Sequence, residues 1–184
     1  MKKIVCETER LIVRQWEDED FNDLYEYASD SVVTKYLHFE PYKSLQDAID
    51  RIKFVKDVYV ETKGIFGEFP IELKQENKVI GSVNIRLDSP KAGGIVMIGW
   101  VLNPRYQGKG YMTECVKEMF RYVKRNNLAK RIRATHDVDN YKSGNVMKRA
   151  GMVFEGISRK AGENNFHSRY DVANYSILYE EIEI

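Results

Sequence analysis

One segment of the sequence, residues 95–123, restricts the fold more than any other. The apolar run Ile95–Leu102 is typical of a central β-strand, and a loop containing Gly108 and Gly110 follows it. Directly after the loop, apolar residues recur with helical spacing at positions 112, 115, 116, 119, 120 and 123. A strand that passes through such a loop into a helix directs free backbone N–H groups and the positive end of the helix dipole at one point. The segment therefore predicts a binding site for phosphate or a similar anion.

The loop matches neither of two common phosphate-binding motifs. A Walker A loop has the form Gly-x-x-x-x-Gly-Lys-Ser/Thr, and the chain contains no such run. A dinucleotide-binding fingerprint requires a third glycine at the position where this chain has Thr113. Arg105 and Lys109 add positive charge to the loop. The sequence thus predicts a phosphate-bearing ligand of another class.

The remaining elements place this segment in a mixed α/β (α+β) fold. Hydrophobic alternation and turn residues predict a strand, two helices, three strands, a helix, a strand, a helix and two strands. This order differs from the regular alternation of strands and helices that builds a parallel sheet. With 184 residues and a hydrophobic fraction of 43%, the chain has the size and apolar content of one domain, residues 1–184. The predicted strands are residues 11–16, 65–73, 79–87, 95–102, 132–138, 152–158 and 170–179, with a polar connection at residues 161–165.

Composition excludes several classes of protein. Lys and Arg number 29 against 28 for Asp and Glu, a formal charge of +1, so we expect no direct nucleic-acid binding. The two cysteines, Cys6 and Cys115, are too few for a disulfide framework or a cysteine-rich zinc site, and no metal is expected. No run approaches the roughly 20 apolar residues of a membrane span, and Glu7 comes too early for a signal peptide. We therefore expect a cytoplasmic protein without a membrane partner.

Read as Arg-x-x-Gly-x-Gly, the loop residues Arg105, Gly108 and Gly110 resemble the pyrophosphate loop of the GNAT N-acetyltransferase superfamily. Other segments resemble the branch that contains the ribosomal-protein N-terminal (alanine) acetyltransferases, and the resemblance covers about residues 8–180. These segments are Glu9-Arg10-Leu11 with residues 16–20, residues 98–102 with 111–114, and Asn140-x-x-Ser143 with residues 148–152, where Met152 replaces a phenylalanine.

The resemblance implies a mostly antiparallel central sheet, flanked by helices, whose central strands splay apart. It implies acetyl-CoA as cosubstrate, with the pantetheine arm along residues 98–102 and the pyrophosphate on the loop amides. Asn140 would bond the pantetheine, and Ser143 would lie near the sulfur, where its hydroxyl can protonate the departing thiolate. Both residues also suit a plain helix start, and the two interpretations are compatible. The implied cosubstrate-binding residues are Trp100, Val101, Leu102, Arg105, Gln107, Gly108, Lys109, Gly110, Tyr111, Met112, Asn140 and Ser143.

The resemblance implies direct attack of a neutral amine on the thioester, with backbone N–H groups stabilising the oxyanion. Cys115 lies on the apolar stripe of its predicted helix, which favours a buried core thiol over an acyl carrier. Related sequences often carry the general base, a glutamate, where this chain has Met97, and methionine cannot accept a proton. With Ser143, we therefore take Glu72 as a catalytic candidate. The base remains open among Glu72, Glu68, His136, Asp137 and Asp139.

The missing glutamate bears on the acceptor. Near pH 7, a lysine amine is neutral on the order of 0.1% of the time and an α-amine about 10–20%, so the α-amine needs less help from a base. We therefore expect a protein or peptide α-amine. A small amine (an antibiotic, polyamine or amino acid) and a non-catalytic acyl-CoA-binding module are the alternatives, and a homodimer is left open. The basic cluster at residues 121–133 fits a solvated face better than a site for the CoA 3′-phosphate or an acidic partner.

Overall fold

The computed structural model describes residues 2–163 and 168–183. Within these ranges the chain forms eight strands and five α-helices. The strands are β1 (Ile4–Glu7), β2 (Leu11–Arg14), β3 (Gly67–Leu73), β4 (Lys78–Ser89), β5 (Ile95–Leu102), β6 (Arg131–Asp137), β7 (Val153–Glu163) and β8 (Arg169–Leu178). The helices are α1 (Phe21–Ala28), α2 (Ser31–Thr34), α3 (Leu45–Glu61), α4 (Tyr111–Arg125) and α5 (Tyr141–Ala150).

All eight strands belong to one sheet in the order β1-β2-β3-β4-β5-β6-β8-β7. Every neighbouring pair is antiparallel except β5 and β6, which run parallel. Their pairing joins residues 95–97 to residues 131–133 and goes no further along the described strands. Beyond Met97 the two strands therefore separate and leave a fork in the sheet. The predicted fold, a mixed and mostly antiparallel sheet with splayed central strands, is confirmed.

Helices cover both faces of the sheet. Arg51 of α3 contacts Glu68 of β3, which also contacts Ser82, so α3 lies on the face to which Ser82 points. His136 of β6 packs under Gly144 of α5. Side chains alternate between faces along a strand, and Arg133, three residues before His136, lies on the opposite face from it. Arg133 pairs with Met97 of β5, which pairs with Arg86 of β4, so Arg133 lies on the same face as Ser82 and α3. His136 and α5 therefore lie on the opposite face, with α4 packed beside α5.

Local sequence explains the elements that border the fork. In α4 the predicted apolar stripe is buried, from Met112 at 4% exposure to Val123 at 1%. Helix α5 begins after Asn140 and ends at Gly151, whose φ of +94° is the left-handed conformation expected of a C-terminal glycine. These two helices fix the loop and the opposite wall of the fork relative to each other.

Three parts of the chain differ from the sequence prediction. Helix α2 was not predicted, because its four residues form only a single turn after Asp30. Strand β1 was not predicted, because its four residues are too short to give a clear alternation before charged Glu7. Strand β7 extends through Glu163, into the predicted connection at residues 161–165, of which residues 164 and 165 lie outside the described ranges. Across the described ranges, the structure contains no helix long and apolar enough to cross a membrane.

Candidate functional site

The fork presents unpaired backbone to its interior. From residue 98 onward β5 keeps its ladder with β4 but has no partner on the β6 side among the described residues. Unpaired N–H and C=O groups of a central strand need partners from elsewhere. Trp100, Val101 and Leu102, three of the predicted binding residues, lie here and are half-buried. This wall of the fork can therefore hydrogen-bond an extended polar ligand.

The glycine loop closes the wide end of the fork. Asn103 starts it by accepting a hydrogen bond from the Arg105 amide at 3.1 Å. Gly108 and Gly110 have φ of +79° and +82°, the left-handed region that favours glycine. A Cβ added to Gly108 would have no atom within 4 Å, so the loop backbone faces open space. A cavity of about 780 Å³ lies there, and its lining includes both glycines and the cations Lys117, Arg121 and Arg149.

The turn between β1 and β2 holds this loop from behind. Arg10 donates a hydrogen bond to the Lys109 carbonyl at 3.1 Å and lies 4.5 Å from the Tyr111 ring centre. Its Nε also donates to Glu114 in the first turn of α4 at 2.7 Å. Burial alone would raise the pKa of Glu114, but hydrogen bonds from Thr8 and Arg10 outweigh burial and lower it. The carboxylate beside the loop is thus ionised and already neutralised by a fixed guanidinium.

The first turn of α5 forms the other side of the fork's mouth. Asn140 caps the helix, with Oδ1 3.4 Å from the Ser143 amide, and the half-buried Ser143 hydroxyl has no protein partner among the described residues. Lys142 donates to Gln107 Oε1 at 2.9 Å, and Gln107 in turn donates to the Leu102 carbonyl at 3.2 Å. The structure therefore brings Asn140 and Ser143 next to the loop.

Glu72 lies elsewhere, in a buried ion-pair cluster. It is 2% exposed and accepts hydrogen bonds from Lys2 at 2.7 Å and from Arg14 at 2.7 Å. Burial by itself would raise the pKa of Glu72, but Lys2 and Arg14 outweigh burial and hold the pKa below its usual range. Glu72 pairs in register with Val79, before the part of β4 that adjoins β5. These contacts favour a structural role for this residue.

Glu68 is level with the fork. The register joins Glu68 to Asn84 and Asn84 to Gly99, so two strand spacings, about 10 Å, separate the Cα atoms of Glu68 and Gly99. Its side chain accepts from Ser82 at 2.9 Å and from Arg51 at 2.6 Å. Of the two glutamates considered on β3, this one is better positioned for proton transfer.

The other sequence candidates have different surroundings. His136 points under α5, and its buried Nε2 has no hydrogen-bond partner among the described residues. Asp137 accepts a hydrogen bond from the Asp139 amide at 2.9 Å, at the end of β6. Burial raises the pKa of Cys115 well above its usual value, as expected for a core thiol. No group of three potential metal ligands occurs in residues 2–163 and 168–183.

The sequence interpretation missed Arg86, and it did not foresee that Arg133 of the basic cluster meets Arg86 at the narrow end of the fork. Arg86 of β4 and Arg133 of β6 flank Met97 in register, with Nη2 atoms 3.0 Å and 3.9 Å from the Met97 sulfur. Alternation along β4 and β6 assigns each arginine to a face, but only the strand order brings the two together. The basic cluster of residues 121–133 is accordingly divided, because Arg133 faces away from the side of α4.

Comparison with known proteins decides the family. Residues 10–153 match the acetyltransferase (GNAT) domain. The chain belongs to the GNAT acetyltransferase family. This GNAT acetyltransferase is 35% identical to the N-acetyltransferase YnaD of Bacillus subtilis, over 95% of its own chain and 96% of the relative. It is 24% identical to the ribosomal protein uS5 alanine N-acetyltransferase of Escherichia coli, over 85% of its own chain and 82% of the relative.

Solved structures agree with this assignment. An acetyltransferase of the GNAT family from Bacillus anthracis superimposes on this chain with a TM-score of 0.83 and 30% identity. The match covers 98% of this chain and 100% of the Bacillus anthracis chain. The microcin C7 self-immunity acetyltransferase MccE, solved with acetyl-CoA and AMP, superimposes with a TM-score of 0.82 at 21% identity, covering 93% of each chain. The predicted enzyme class, an N-acetyltransferase, is confirmed, and the MccE likeness supports the fold.

Proposed function

We propose that this GNAT acetyltransferase transfers the acetyl group of acetyl-CoA to a protein or peptide α-amine, without a covalent enzyme intermediate. The observation that carries the proposal is the fork between β5 and β6, which opens onto the glycine loop and the start of α4. The fork offers backbone hydrogen bonds to an extended arm, and the loop offers amides and a helix dipole to a pyrophosphate. Acetyl-CoA combines these two features in one molecule.

The chain's own residues divide the binding work. Residues 100–102 bond the pantetheine arm, and the amides of residues 107–112 hold the pyrophosphate. Arg105 lies beside the loop, where it is paired with Glu26 at 3.3 Å. Asn140 binds the arm from the opposite wall. Of the cations that line the cavity beyond the loop, Lys117 and Arg149 suit the remaining phosphate, whereas Arg121 is paired with Glu118 at 3.2 Å. The cosubstrate supplies the acetyl group as a thioester.

Proton movement is assigned to two residues. The amine nitrogen bonds to the thioester carbonyl carbon as the carbon–sulfur bond breaks, and the amine proton passes through water to Glu68. The Ser143 hydroxyl donates a proton to the departing thiolate and regains one from solvent. This proposal uses Glu68 in place of Glu72, because Glu68 is level with Gly99 at the fork, whereas Glu72 pairs with Val79, before the part of β4 that adjoins β5.

The preference for an α-amine depends on Met97. A thioether cannot take a proton, and Glu68 receives it only through water, so an amine with a larger neutral fraction is the better nucleophile at neutral pH. The Escherichia coli relative named as a ribosomal-protein alanine N-acetyltransferase supports an acceptor of this kind.

The acceptor class can be tested by following thiol release from acetyl-CoA with matched amines. One peptide has a free α-amine and no lysine, a second has a blocked N-terminus and one lysine, and a third set contains polyamines and aminoglycosides. We expect kcat/KM to be highest for the free α-amine. Faster acetylation of lysine or of the small amines would contradict the α-amine proposal, and tight acetyl-CoA binding without any turnover would favour a binding module.

The proton donor can be tested with Ser143→Ala. We expect kcat to fall about a hundredfold, since general acid catalysis contributes on that scale or more, while the Kd for CoA changes less than about twofold. Ser143→Thr keeps the hydroxyl and should retain most of the rate. Equal kcat for the wild type and Ser143→Ala would show that another group protonates the thiolate.

A further inference from the structure

The narrow end of the fork has an unusual arrangement of charge. Met97 is the last residue of β5 that pairs with β6, and it lies between Arg86 on one side and Arg133 on the other. Both guanidiniums approach the Met97 sulfur, at 3.0 Å and 3.9 Å. Two cations thus converge on an uncharged side chain at the point where the strands separate.

These two cations are incompletely neutralised. Arg86 is exposed and has no carboxylate within ion-pair distance among the described residues. Arg133 has Asp88 2.9 Å from its Nε, but the N–H is not aligned for a hydrogen bond. With Arg86, Arg133 and Asp88 counted together, the formal charge here is +1. Guanidinium groups hydrogen-bond carboxylates and phosphates with two parallel N–H donors, and an exposed one is available for that purpose.

The position of the arginines relates them to the acceptor. From Met97 to Leu102, β5 advances five residues at about 3.3 Å each, so about 17 Å separate the arginines from the start of the glycine loop. An extended pantetheine arm has a comparable length, so a cosubstrate whose pyrophosphate is on the loop has its acyl end near Met97. The register places Arg86 and Arg133 on the face of the sheet that carries α3 and Glu68, and Arg86 is exposed there.

We propose that Arg86 and Arg133 select an acceptor that carries an anionic group, a carboxylate or a phosphate, near its reacting amine. The inference rests on the proposed function, because it takes the acyl end of the cosubstrate to lie at Met97. It also accounts for methionine at this position. A glutamate there would pair with both guanidiniums and withhold them from a ligand, whereas the thioether leaves their N–H groups available.

The test uses two pairs of α-amines that differ in charge. The carboxylate pair is alanyl-glutamate amide and alanyl-glutamine amide, and the phosphate pair is O-phosphoserine amide and serine amide. We measure kcat/KM for each with saturating acetyl-CoA and expect the anionic member to be favoured in at least one pair. Arg86→Gln and Arg133→Gln should each reduce that preference by about ten- to a hundredfold, the effect of losing a charge-assisted hydrogen bond.

Controls separate selection from structural effects. Arg86→Lys keeps the charge and should retain part of the preference. Lys148→Gln removes an exposed cation on α5, on the other face of the sheet, and should leave the preference unchanged. The pair that shows the preference identifies the anion as carboxylate or phosphate. Equal kcat/KM within both pairs for the wild type, or a preference that survives both glutamine variants, would overturn the proposal.

A binding measurement gives an answer independent of turnover. Calorimetry with the CoA-loaded protein compares the N-acetylated forms of the same four compounds. If no amine is acetylated, the proposed function fails. Even then, an anion site at the fork is supported if the anionic products bind more tightly than the uncharged ones and if Arg86→Gln removes this difference. Equal affinity for charged and uncharged products in both pairs overturns the proposal that Arg86 and Arg133 bind an anionic group.

Discussion

Gly108 and Gly151 have similar backbone conformations and different surroundings. Their φ angles are +79° and +94°, and at both positions an added Cβ would have no atom within 4 Å. Gly151 ends α5, where the left-handed conformation only terminates the helix. Gly108 lines the cavity in front of α4, so its missing side chain leaves room at the proposed pyrophosphate site. The same backbone conformation therefore ends a helix at Gly151 and leaves room for a ligand at Gly108.

This contrast gives a matched pair of substitutions, Gly108→Leu and Gly151→Leu. Each should lower the free energy of unfolding by about 1–2 kcal/mol, the cost of a side chain in the left-handed region. Only Gly108→Leu should also weaken CoA binding, by tenfold or more, because its side chain projects into the loop's open space. Calorimetric titration with CoA and urea unfolding measure the two effects. Similar CoA affinity in the two variants would move the site away from this loop.

At the level of elements, the β1–β2 turn and α4 act as one unit. Arg10 contacts a loop carbonyl, the Tyr111 ring and the Glu114 carboxylate, so the edge of the sheet determines how the loop amides point. The Glu9-Arg10-Leu11 segment was recognised from its resemblance to relatives. The geometry adds a physical reason for the arginine, since its guanidinium donates a hydrogen bond to the Lys109 carbonyl.

Arg10→Gln should therefore weaken cosubstrate binding without removing a ligand contact. We expect the KM for acetyl-CoA to rise about three- to tenfold, with kcat changed less, because a loosened loop loses part of its preorganisation. Lys74→Gln is the matched control, because Lys74 binds the Thr8 carbonyl of the same turn and does not touch the loop. Steady-state kinetics with varied acetyl-CoA provide the measurement. Equal KM values for the two variants would assign the turn no part in loop positioning.

Over the whole molecule, a buried ion-pair cluster joins the N-terminal segment to the sheet. Arg14 of β2 contacts Glu72 of β3 at 2.7 Å and Asp20, before α1, at 2.6 Å, and Lys2 completes the cluster. Removing one member of a buried pair leaves its partner inadequately compensated. The cluster thus couples the order of the first strands to the ionisation of Glu72.

The stability of the protein should depend on this ionisation. The folded-state pKa of Glu72 is lowered, so its contribution is complete above the unfolded-state pKa of about 4.3 and is lost as the pH falls through the folded-state value. Glu72→Gln should lower the free energy of unfolding by about 3 kcal/mol at pH 7, and the difference should narrow below about pH 4. Urea unfolding between pH 3 and pH 7 measures it.

Glu155→Gln is the control for this pH effect. Glu155 also has a lowered pKa, through hydrogen bonds from Arg131 and Ser176, but its side chain is 36% exposed. We expect a change below about 1 kcal/mol, as for other exposed pairs. Equal losses of stability in the two variants would mean that the buried cluster contributes no more to the free energy of unfolding than an exposed ion pair does. A loss of kcat in Glu72→Gln while the protein stays folded would return Glu72 to consideration as the base.

The sequence was informative where one element carries its own signal. Strand β5 has the predicted bounds, and α5 begins and ends at the predicted Asn140 and Gly151, because apolar runs, caps and glycine turns are local. The relation between strands is not local. The level of Glu68 with Gly99, and the meeting of Arg86 with Arg133, depend on register across β3 to β6. Residue patterns along one strand cannot contain that information.

The parallel pairing of β5 with β6 has a mechanical consequence. Within the sheet, residues 95–97 and 131–133 form the only register between the half that contains β1–β5 and the half that contains β6–β8, across the described residues. Three residue pairs hold this seam, against eight between β4 and β5 and seven between β6 and β8, so an opening between the two halves breaks fewer ladder bonds here than at either adjoining pair of strands. A cosubstrate bound as proposed would contact both halves, at the loop and at Asn140. Bound cosubstrate would then hold the two halves together. Without it, we expect the sheet to open locally between β5 and β6 more often.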